Sequence, residues 1–391
     1  MIDARTKKLR WAALAALGMS MTLLSGCATD AAHPARKADG PGTLVEIKPF
    51  ADIDSSVKDL GAEALLALYR STSSSGEHTV VSGALFVPGG TPPPGGWITL
   101  AIAHGTTGIT PECGPSLSPN LLGQIVLVTK FLKAGYAVAF ADYQGLGAPG
   151  IHEYLNSKTE AYNVIDSVRA LRIARPGVIS DRWVTFGGSQ GGGASWAAAE
   201  EASVYAPELH LIAAVNAVPA ANISGYAQMA EDEVMTPFQS AAYTALLISQ
   251  GRAHPDLDLD LYRRGSVKAN AEALIQCKGP GLEDRKRAVM QIKPEELKPA
   301  THAATLALKA RLDEMGVAKR KSDVPMLVIY AGKDEYIKPE WTKKTIEDAC
   351  RLGTKIEVDF EAEKSHGTFD HSNILPWLQD RIEGKPLKNS C

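Results

Sequence analysis

The sequence contains no apolar run long enough to cross a bilayer, and no basic run beyond "KKLR" near its start and "KRK" at Lys319 to Lys321. The first absence excludes a multi-span membrane protein. The second leaves nothing that favours nucleic acid, because 41 Lys plus Arg stand against 44 Asp plus Glu and the formal charge is only −3. Cysteine is scarce, at five residues, and no two lie at a C-x-x-C spacing, so a zinc site is a poor reading and no metal is expected. Internal repeats are also missing. What is present is the balance of an ordinary globular chain, 45% hydrophobic and 22% charged, and its 391 residues are enough to bury a large core.

The start reads as an address: basic "ARTKKLR", an apolar run from Trp11 to Leu24, then small residues. "LSGC", Leu24 to Cys27, has the form of the cleavage box of bacterial lipoprotein signal peptides, in which the cysteine is lipidated and becomes the new N-terminus. On that reading residues 1–26 are a signal peptide, Cys27 is the lipidation site and 27–45 form a tether. The mature protein is then exported and anchored to a bacterial membrane without spanning it. Ala28 lacks the aspartate that retains such proteins at the inner membrane, which points to the outer membrane, on its periplasmic or surface side. The alternative is an ordinary secretory signal cut nearby. Setting Cys27 aside leaves Cys113, Cys277, Cys350 and Cys391, an even count in an exported chain, and so two disulfides in one of three connectivities.

Beyond the tether, strand and helix patterns alternate, the signature of a mostly parallel sheet covered by helices. "ALLALYRST" and "TVVSGALFVP" read as early strands, and "WITLAIAH" as a strand buried on both faces. The helix "LLGQIVLVTKFLKAG", the strand "YAVAFADY", the helix "KTEAYNVIDSVRALRIA" and the strand "RWVTFG" follow. Then come the helix "GGASWAAAEEASVYA" and the strand "LHLIAAVNAV". The pattern turns helical and charge-mixed over 222–322, read as an inserted lid between a first core part, 46–221, and a second, 323–391. The second part carries the strand "VPMLVIYAG", a helix, the strand "KIEVDFEA" and a last helix around "LPWLQDRIEG". The expected fold class is α/β, a mostly parallel central sheet flanked by helices with an inserted mainly helical lid domain.

Five glycines crowd around Ser189 in "TFGGSQGGGASW", where a strand hands over to a helix. A serine hydroxyl attacks only when a base takes its proton, so it must stand clear of the sheet edge. A sharp strand-to-helix turn achieves this by straining the backbone, and leaves no room for side chains two residues to either side. Gly187 and Gly191 fill those places in G-x-S-x-G, while Gly188, Gly192 and Gly193 are read as loosening the packing further. Alone the motif is weak, and its strand-turn-helix context gives it value. The bland alternative is a glycine turn with a hydroxyl capping the helix. A phosphate loop fits poorly, since the cluster has neither a G-K-[ST] ending nor the G-x-G-x-x-G register.

A serine of this kind requires an acid and then a histidine later in the chain. "YAGKDEYIKP" offers Asp334 on a loop leaving an apolar strand, with Glu335 as the local competitor. "FEAEKSHGTFDH" offers His366, with His371 as the rival base. "AIAHGTTG" ends a buried strand on the side where Ser189 emerges, so the backbone amides of Thr106 and Gln190 are the candidate oxyanion hole, each stabilising the intermediate by roughly 3 kcal/mol. His104 reads as structural, and Asp142, which precedes the serine, as a residue holding the nearby loop.

With these residues in place, the chain resembles the secretory lipase family of α/β-hydrolases, the Candida lipase A type and its bacterial relatives. The matching segments are "AHGTTGITPECGPS", "ADYQGLGAPGIHEYL", "GGSQGGGASWAAAE", "YAGKDEYI" and "SHGTF", spread from about Leu60 to Ile382. The resemblance implies carboxylester hydrolysis through an acyl-enzyme, with Ser189 as nucleophile, His366 as base and Asp334 as its orienting acid, and without cofactor. It implies a mainly helical lid after the sixth strand, and disulfides Cys113–Cys277 and Cys350–Cys391. Gly188 departs from relatives that carry a bulkier residue before the nucleophile, and the lid shows little similarity, so substrate preference is not inherited. The stripe Phe238, Tyr243, Leu246 and Leu247 could line an acyl tunnel, or simply pack on the core. The expected partner is a small-molecule or lipid ester. A peptidase or acyltransferase would use the same triad, and a non-catalytic lipoprotein binding lipid or a partner is the reading from outside enzymology.

Overall fold

The computed structural model of the protein describes residues 40–391. The signal peptide, the proposed lipidation at Cys27 and the tether up to residue 39 lie outside the described residues. Among the described residues no helix is long and apolar enough to cross a membrane.

The strands are β1 (Leu44–Pro49), β2 (Glu63–Thr72), β3 (His78–Val87), β4 (Trp97–Ala103), β5 (Ala137–Ala141), β6 (Ile179–Gly188), β7 (His210–Ala217), β8 (Met326–Ala331) and β9 (Ile356–Glu361). They form one sheet in the order β1-β2-β3-β5-β4-β6-β7-β8-β9. The pairs from β1 through β3 to β5 are antiparallel, and every pair from β5 to β9 is parallel. The fold is thus the mostly parallel α/β sheet expected of an α/β-hydrolase. β1 has no counterpart in the sequence reading, because five of its six residues are exposed and it carries no buried face to reveal it. The inserted helices therefore follow the seventh strand, which is the sixth of those legible in the sequence.

Side chains of the central strands alternate between the two faces, as the two-residue period of a strand requires. On one face Ala101 and Ala103 of β4, with Ala137, Ala139 and Ala141 of β5, present small side chains to one core layer. That layer includes α3 (Ser157–Ala174), α4 (Gln190–Tyr205) and α11 (Pro339–Arg351). On the other face Leu100, Ile102, Val138 and Phe140 meet α1 (Ser55–Lys58), α2 (Ile125–Lys133) and α12 (Ile374–Ile382). The small residues allow the long helices to lie close against the sheet. α2 is shorter than "LLGQIVLVTKFLKAG" suggests, since Leu121, Leu122 and Gly123 all have positive φ and cannot continue a right-handed helix.

Between β7 and β8 the chain forms α5 (Gly225–Glu231), α6 (Pro237–Ala253), α7 (Gly265–Ala269), α8 (Ala271–Leu274), α9 (Gly281–Met290) and α10 (His302–Glu314). These helices share their own apolar cluster, centred on the buried Tyr243, Leu246, Leu247, Leu308 and Leu312. Disulfides join Cys113 to Cys277 and Cys350 to Cys391, so all four remaining cysteines are paired as the family resemblance implies.

Candidate active site

β4 has β5 on one side and β6 on the other, so the chain reverses its direction of travel across the sheet at this point. In open α/β sheets the loops leaving the carboxyl ends of strands at such a switch point diverge and leave a crevice. Here Ala103 is in register with Gly187, so the loop after β4 and the turn after β6 open side by side.

Ser189 occupies that turn with φ 59° and ψ −121°, a strained conformation for a residue with a side chain. The outer glycines are steric requirements. A Cβ on Gly187 would collide with the Gly191 carbonyl, and one on Gly191 with the Ala103 carbonyl. The reading of the other three glycines is corrected in part. A Cβ on Gly192 would come within 2.8 Å of the Ala217 carbonyl oxygen, and one on Gly193 within 2.8 Å of Ser157 Oγ, so these two permit tight packing and do not loosen it. A Cβ on Gly188 would meet nothing closer than 4.0 Å. The position before the serine therefore has room for at least a Cβ.

Asp334 and His366 arrive from the loops after β8 and β9. Asp334 Oδ1 accepts the amides of Tyr336 and Ile337, both at 2.9 Å, and Oδ2 lies 2.7 Å from His366 Nδ1. The carboxylate accepts a hydrogen bond from Nδ1–H, leaving Nε2 free to accept from Ser189 Oγ at 2.8 Å. Glu335 does not compete for the ring, as its Oε2 accepts the His366 backbone amide at 3.1 Å. His371 packs on Phe369 with ring centroids 4.1 Å apart, away from this chain of contacts. Tyr336 stands with its ring 5.0 Å from that of His366, and its carbonyl accepts Tyr226 Oη at 2.8 Å and Gln239 Nε2 at 3.3 Å. The loop carrying Asp334 is thereby fastened to α5 and α6.

Gly105 lies beside the serine, since a Cβ there would stand 4.0 Å from that of Ser189. Among the described residues, neither the Thr106 nor the Gln190 backbone amide donates to another group. Two free N–H groups flanking a poised hydroxyl can receive an oxyanion. Thr106 Oγ1 meets Tyr154 Oη at 2.8 Å. The Gln190 side chain is buried and held from behind, its Nε2 reaching Glu160 Oε1 at 2.7 Å and His152 Nε2 at 3.0 Å. His152 Nδ1 faces the Gln144 carbonyl at 3.0 Å, so that nitrogen carries the proton and Nε2 accepts from the glutamine. Burial pushes His152 down to about 3 and raises Glu160 well above the usual carboxyl range, which keeps both neutral. Sequence reasoning does not single out His152. Only its place in "ADYQGLGAPGIHEYL" hints otherwise.

His104 and Asp142 hold structure, as expected. The His104 ring spans the carbonyls of Gly105 and Asp142 at 2.6 and 3.1 Å, and burial lowers it to about 4. Asp142 accepts the Ser116 amide at 2.8 Å, the Ser82 hydroxyl at 2.6 Å and the Ser116 hydroxyl, tying the 111–118 loop to the sheet, and burial raises it to about 6.

A cavity of about 470 Å³ opens onto Ser189 and His366, walled by the β4 loop, Tyr154, Tyr336, α6 and α9. The expected apolar stripe divides here. Phe238 faces the cavity together with the small Ala241, Ala242 and Ala245, whereas Tyr243, Leu246 and Leu247 point the other way and are fully buried.

The model of the family described as secretory lipase matches residues 121–390. The chain belongs to the secretory lipase family. It is therefore a carboxylic ester hydrolase by class. Among curated members it is similar to the secreted triacylglycerol lipase LIP2 of Malassezia globosa, 24% identical over 384 residues that cover 90% of this chain and 80% of the relative. The match to LIP4 of Malassezia furfur is 25% identical over 298 residues, or 69% of this chain, and spans about half of that relative, 52%. Among solved structures, the closed state of Candida antarctica lipase A superposes with a TM-score of 0.73 at 17% identity, covering 92% of this chain and 86% of the other. The rice cell wall degrading esterase LipA of Xanthomonas oryzae gives 0.67 at 18% identity, covering 88% and 96%. At these identities the structural likeness concerns the fold.

Proposed function

We propose that the protein hydrolyses carboxylic esters of lipid or small-molecule type through an acyl-enzyme on Ser189, with 222–322 acting as a lid over the site. The observation that carries this reading is the unbroken contact chain Asp334–His366–Ser189 at the carboxyl ends of three strands. Ser189 Oγ attacks the ester carbonyl carbon as His366 Nε2 takes its proton. The amides of Thr106 and Gln190 receive the oxyanion, and collapse expels the alcohol, which leaves with the proton held by His366. Water then repeats the sequence against the acyl-enzyme and releases the acid. Asp334 fixes the tautomer that makes Nε2 the acceptor and offsets the charge that develops on the ring.

The test is hydrolysis of p-nitrophenyl esters from acetate to palmitate by the mature chain beside its Ser189→Ala variant. Turnover that falls at least about 10³-fold in the variant supports the assignment, and the chain-length optimum separates esterase from lipase. Undiminished turnover in the variant contradicts it. Amide and alcohol-acceptor substrates run alongside distinguish the peptidase and acyltransferase readings, and tight lipid binding with every ester left intact would favour the binding protein.

The same proposal places the enzyme on a bacterial membrane through lipid on Cys27, motivated by "LSGC". Metabolic fatty-acid labelling that disappears in Cys27→Ala is expected. Label that persists in that variant, or no label at all, removes the anchor from the account.

A further inference from the structure

One side chain of the cavity wall is not accounted for by ester hydrolysis. Arg285, on α9, lines the cavity that opens onto Ser189. Among the described residues it and His366 are the only basic side chains in that wall, and no carboxylate lines it. A half-buried guanidinium facing a cavity otherwise lined by neutral and apolar groups is a donor set suited to a negative group on the molecule that enters it.

Its neighbours are otherwise engaged. On the same helix Glu283 pairs with Lys286 at 2.7 Å and Asp284 pairs with Arg287, while the positions one turn from Arg285 are Gly281, Leu282, Ala288 and Val289. Glu335 accepts the His366 amide and Asp334 its ring. Among the described residues no hydrogen bond or ion pair engages Arg285. Burial raises the phenols of Tyr154 and Tyr336, and at both the charge of Arg285 opposes the rise, so the guanidinium lies within electrostatic reach of both cavity walls. The segment leading into its helix is restrained covalently. Cys277, four residues before α9, is bonded to Cys113, and a Cβ on Gly108 would come within 2.9 Å of Cys277 Cβ, so the segment entering the helix is stapled to the loop that carries Thr106.

We infer that Arg285 is a specificity residue that selects esters bearing a second, anionic group, a carboxylate or a phosphate, on the part of the substrate that fills the cavity. The inference rests on the ester-hydrolase reading of the same site. The guanidinium offers a planar fork of donors to either anion, and a charge-assisted contact of this kind is worth roughly ten- to a hundred-fold in kcat/KM.

The experiment compares p-nitrophenyl hemiesters of dicarboxylic acids from glutarate to suberate with neutral p-nitrophenyl esters of matched length, after subtraction of the uncatalysed rate. A lysophosphatidylglycerol beside the matched monoacylglycerol forms the phosphate arm. Wild type, Arg285→Gln and Arg285→Lys are read as the ratio of anionic to neutral kcat/KM. A wild-type ratio above one in either arm, shrinking as ionic strength rises, lost about ten-fold or more in Arg285→Gln and kept in part, through charge without the fork, in Arg285→Lys, is the expected result; the arm that responds names the anion. A wild-type ratio at or below one in both arms overturns the inference, as does a ratio that Arg285→Gln leaves unmoved or that Arg285→Lys loses equally. A loss shared by neutral and anionic esters overturns it too, since it would assign Arg285 to the reaction in general. The wild-type ratio and its salt dependence need no variant to fold. Failure of wild type on neutral and anionic esters alike would contradict the proposed function itself, a result distinct from turnover without anion preference.

Discussion

At the scale of single residues, the account turns on which atom holds which proton. Asp334 uses one oxygen for the Tyr336 and Ile337 amides and the other for His366. Asp334→Asn keeps the shape but presents an amide to Nδ1, which favours the wrong tautomer, so kcat is expected to fall about 10³–10⁴-fold in steady-state assays. Glu335→Gln, which retains an acceptor for the His366 amide, should cost less than about ten-fold. Behind Ser189, His152 is held by burial at about 3 against 6.5 for an exposed imidazole. Its contribution to stability is thus fully present above pH 6.5 and is lost as the pH falls toward 3, because unfolding takes up a proton. His152→Asn removes that proton uptake. The drop in unfolding free energy between pH 7 and pH 4.5 should be smaller in the variant by on the order of 2 kcal/mol, read by denaturant titration at both pH values. An equal drop in both proteins would show that His152 titrates normally in the fold. Asp142, raised to about 6, works with the opposite sign in the same window, which is why the comparison must be made between variants and not from the wild-type profile alone.

At the scale of elements, β9 closes the sheet with a free edge, a place where unpaired backbone groups invite another chain. The carboxyl-terminal segment covers it. The Ser390 amide donates to the Ile356 carbonyl at 2.7 Å, while Asn389 Oδ1 and Ser390 Oγ accept the amides of Ile356 and Val358 at 3.1 and 3.0 Å. The Cys350–Cys391 disulfide fastens that segment to α11. Cys391→Ser is expected to lower stability by about 2–4 kcal/mol and to make the protein self-associate on mild heating, measured by thermal unfolding with light scattering. Unchanged melting and scattering would mean that the segment holds without the bond.

At the scale of the whole molecule, the reactive groups come from regions of sequence that only the sheet brings together. The β4 loop, the β6 turn and the loops after β8 and β9 all leave the carboxyl edge, with the inserted helices above them. The Cys113–Cys277 bond ties these layers across 164 residues of chain. Removing both cysteines as Cys113→Ala with Cys277→Ala should lower the unfolding free energy by about 3–5 kcal/mol, measured in denaturant. It should also raise KM more than it lowers kcat, since α9 loses its tether while the triad loops do not. Most of this architecture was legible because buried strands and the serine turn announce themselves: "WITLAIAH" is apolar throughout, and Gly187 and Gly191 admit no side chain. Three features were not legible. β1 is an exposed edge strand without an apolar period, and the cavity face of α6 is written in alanines, which look the same in a helix whichever way they point. The buried His152–Gln190–Glu160 contacts join residues 30 and 38 positions apart, and no local spacing betrays them.

The central claim is that Ser189 is the nucleophile activated by His366. Its most direct test is the intact mass and peptide map of the protein after treatment with diethyl p-nitrophenyl phosphate, for wild type beside Ser189→Ala and His366→Ala. One diethylphosphoryl group per chain, located on Ser189 and formed at a negligible rate in both variants, is the predicted result. Full modification at another residue, or hydrolytic activity that survives in an unmodified wild-type chain, would contradict the account.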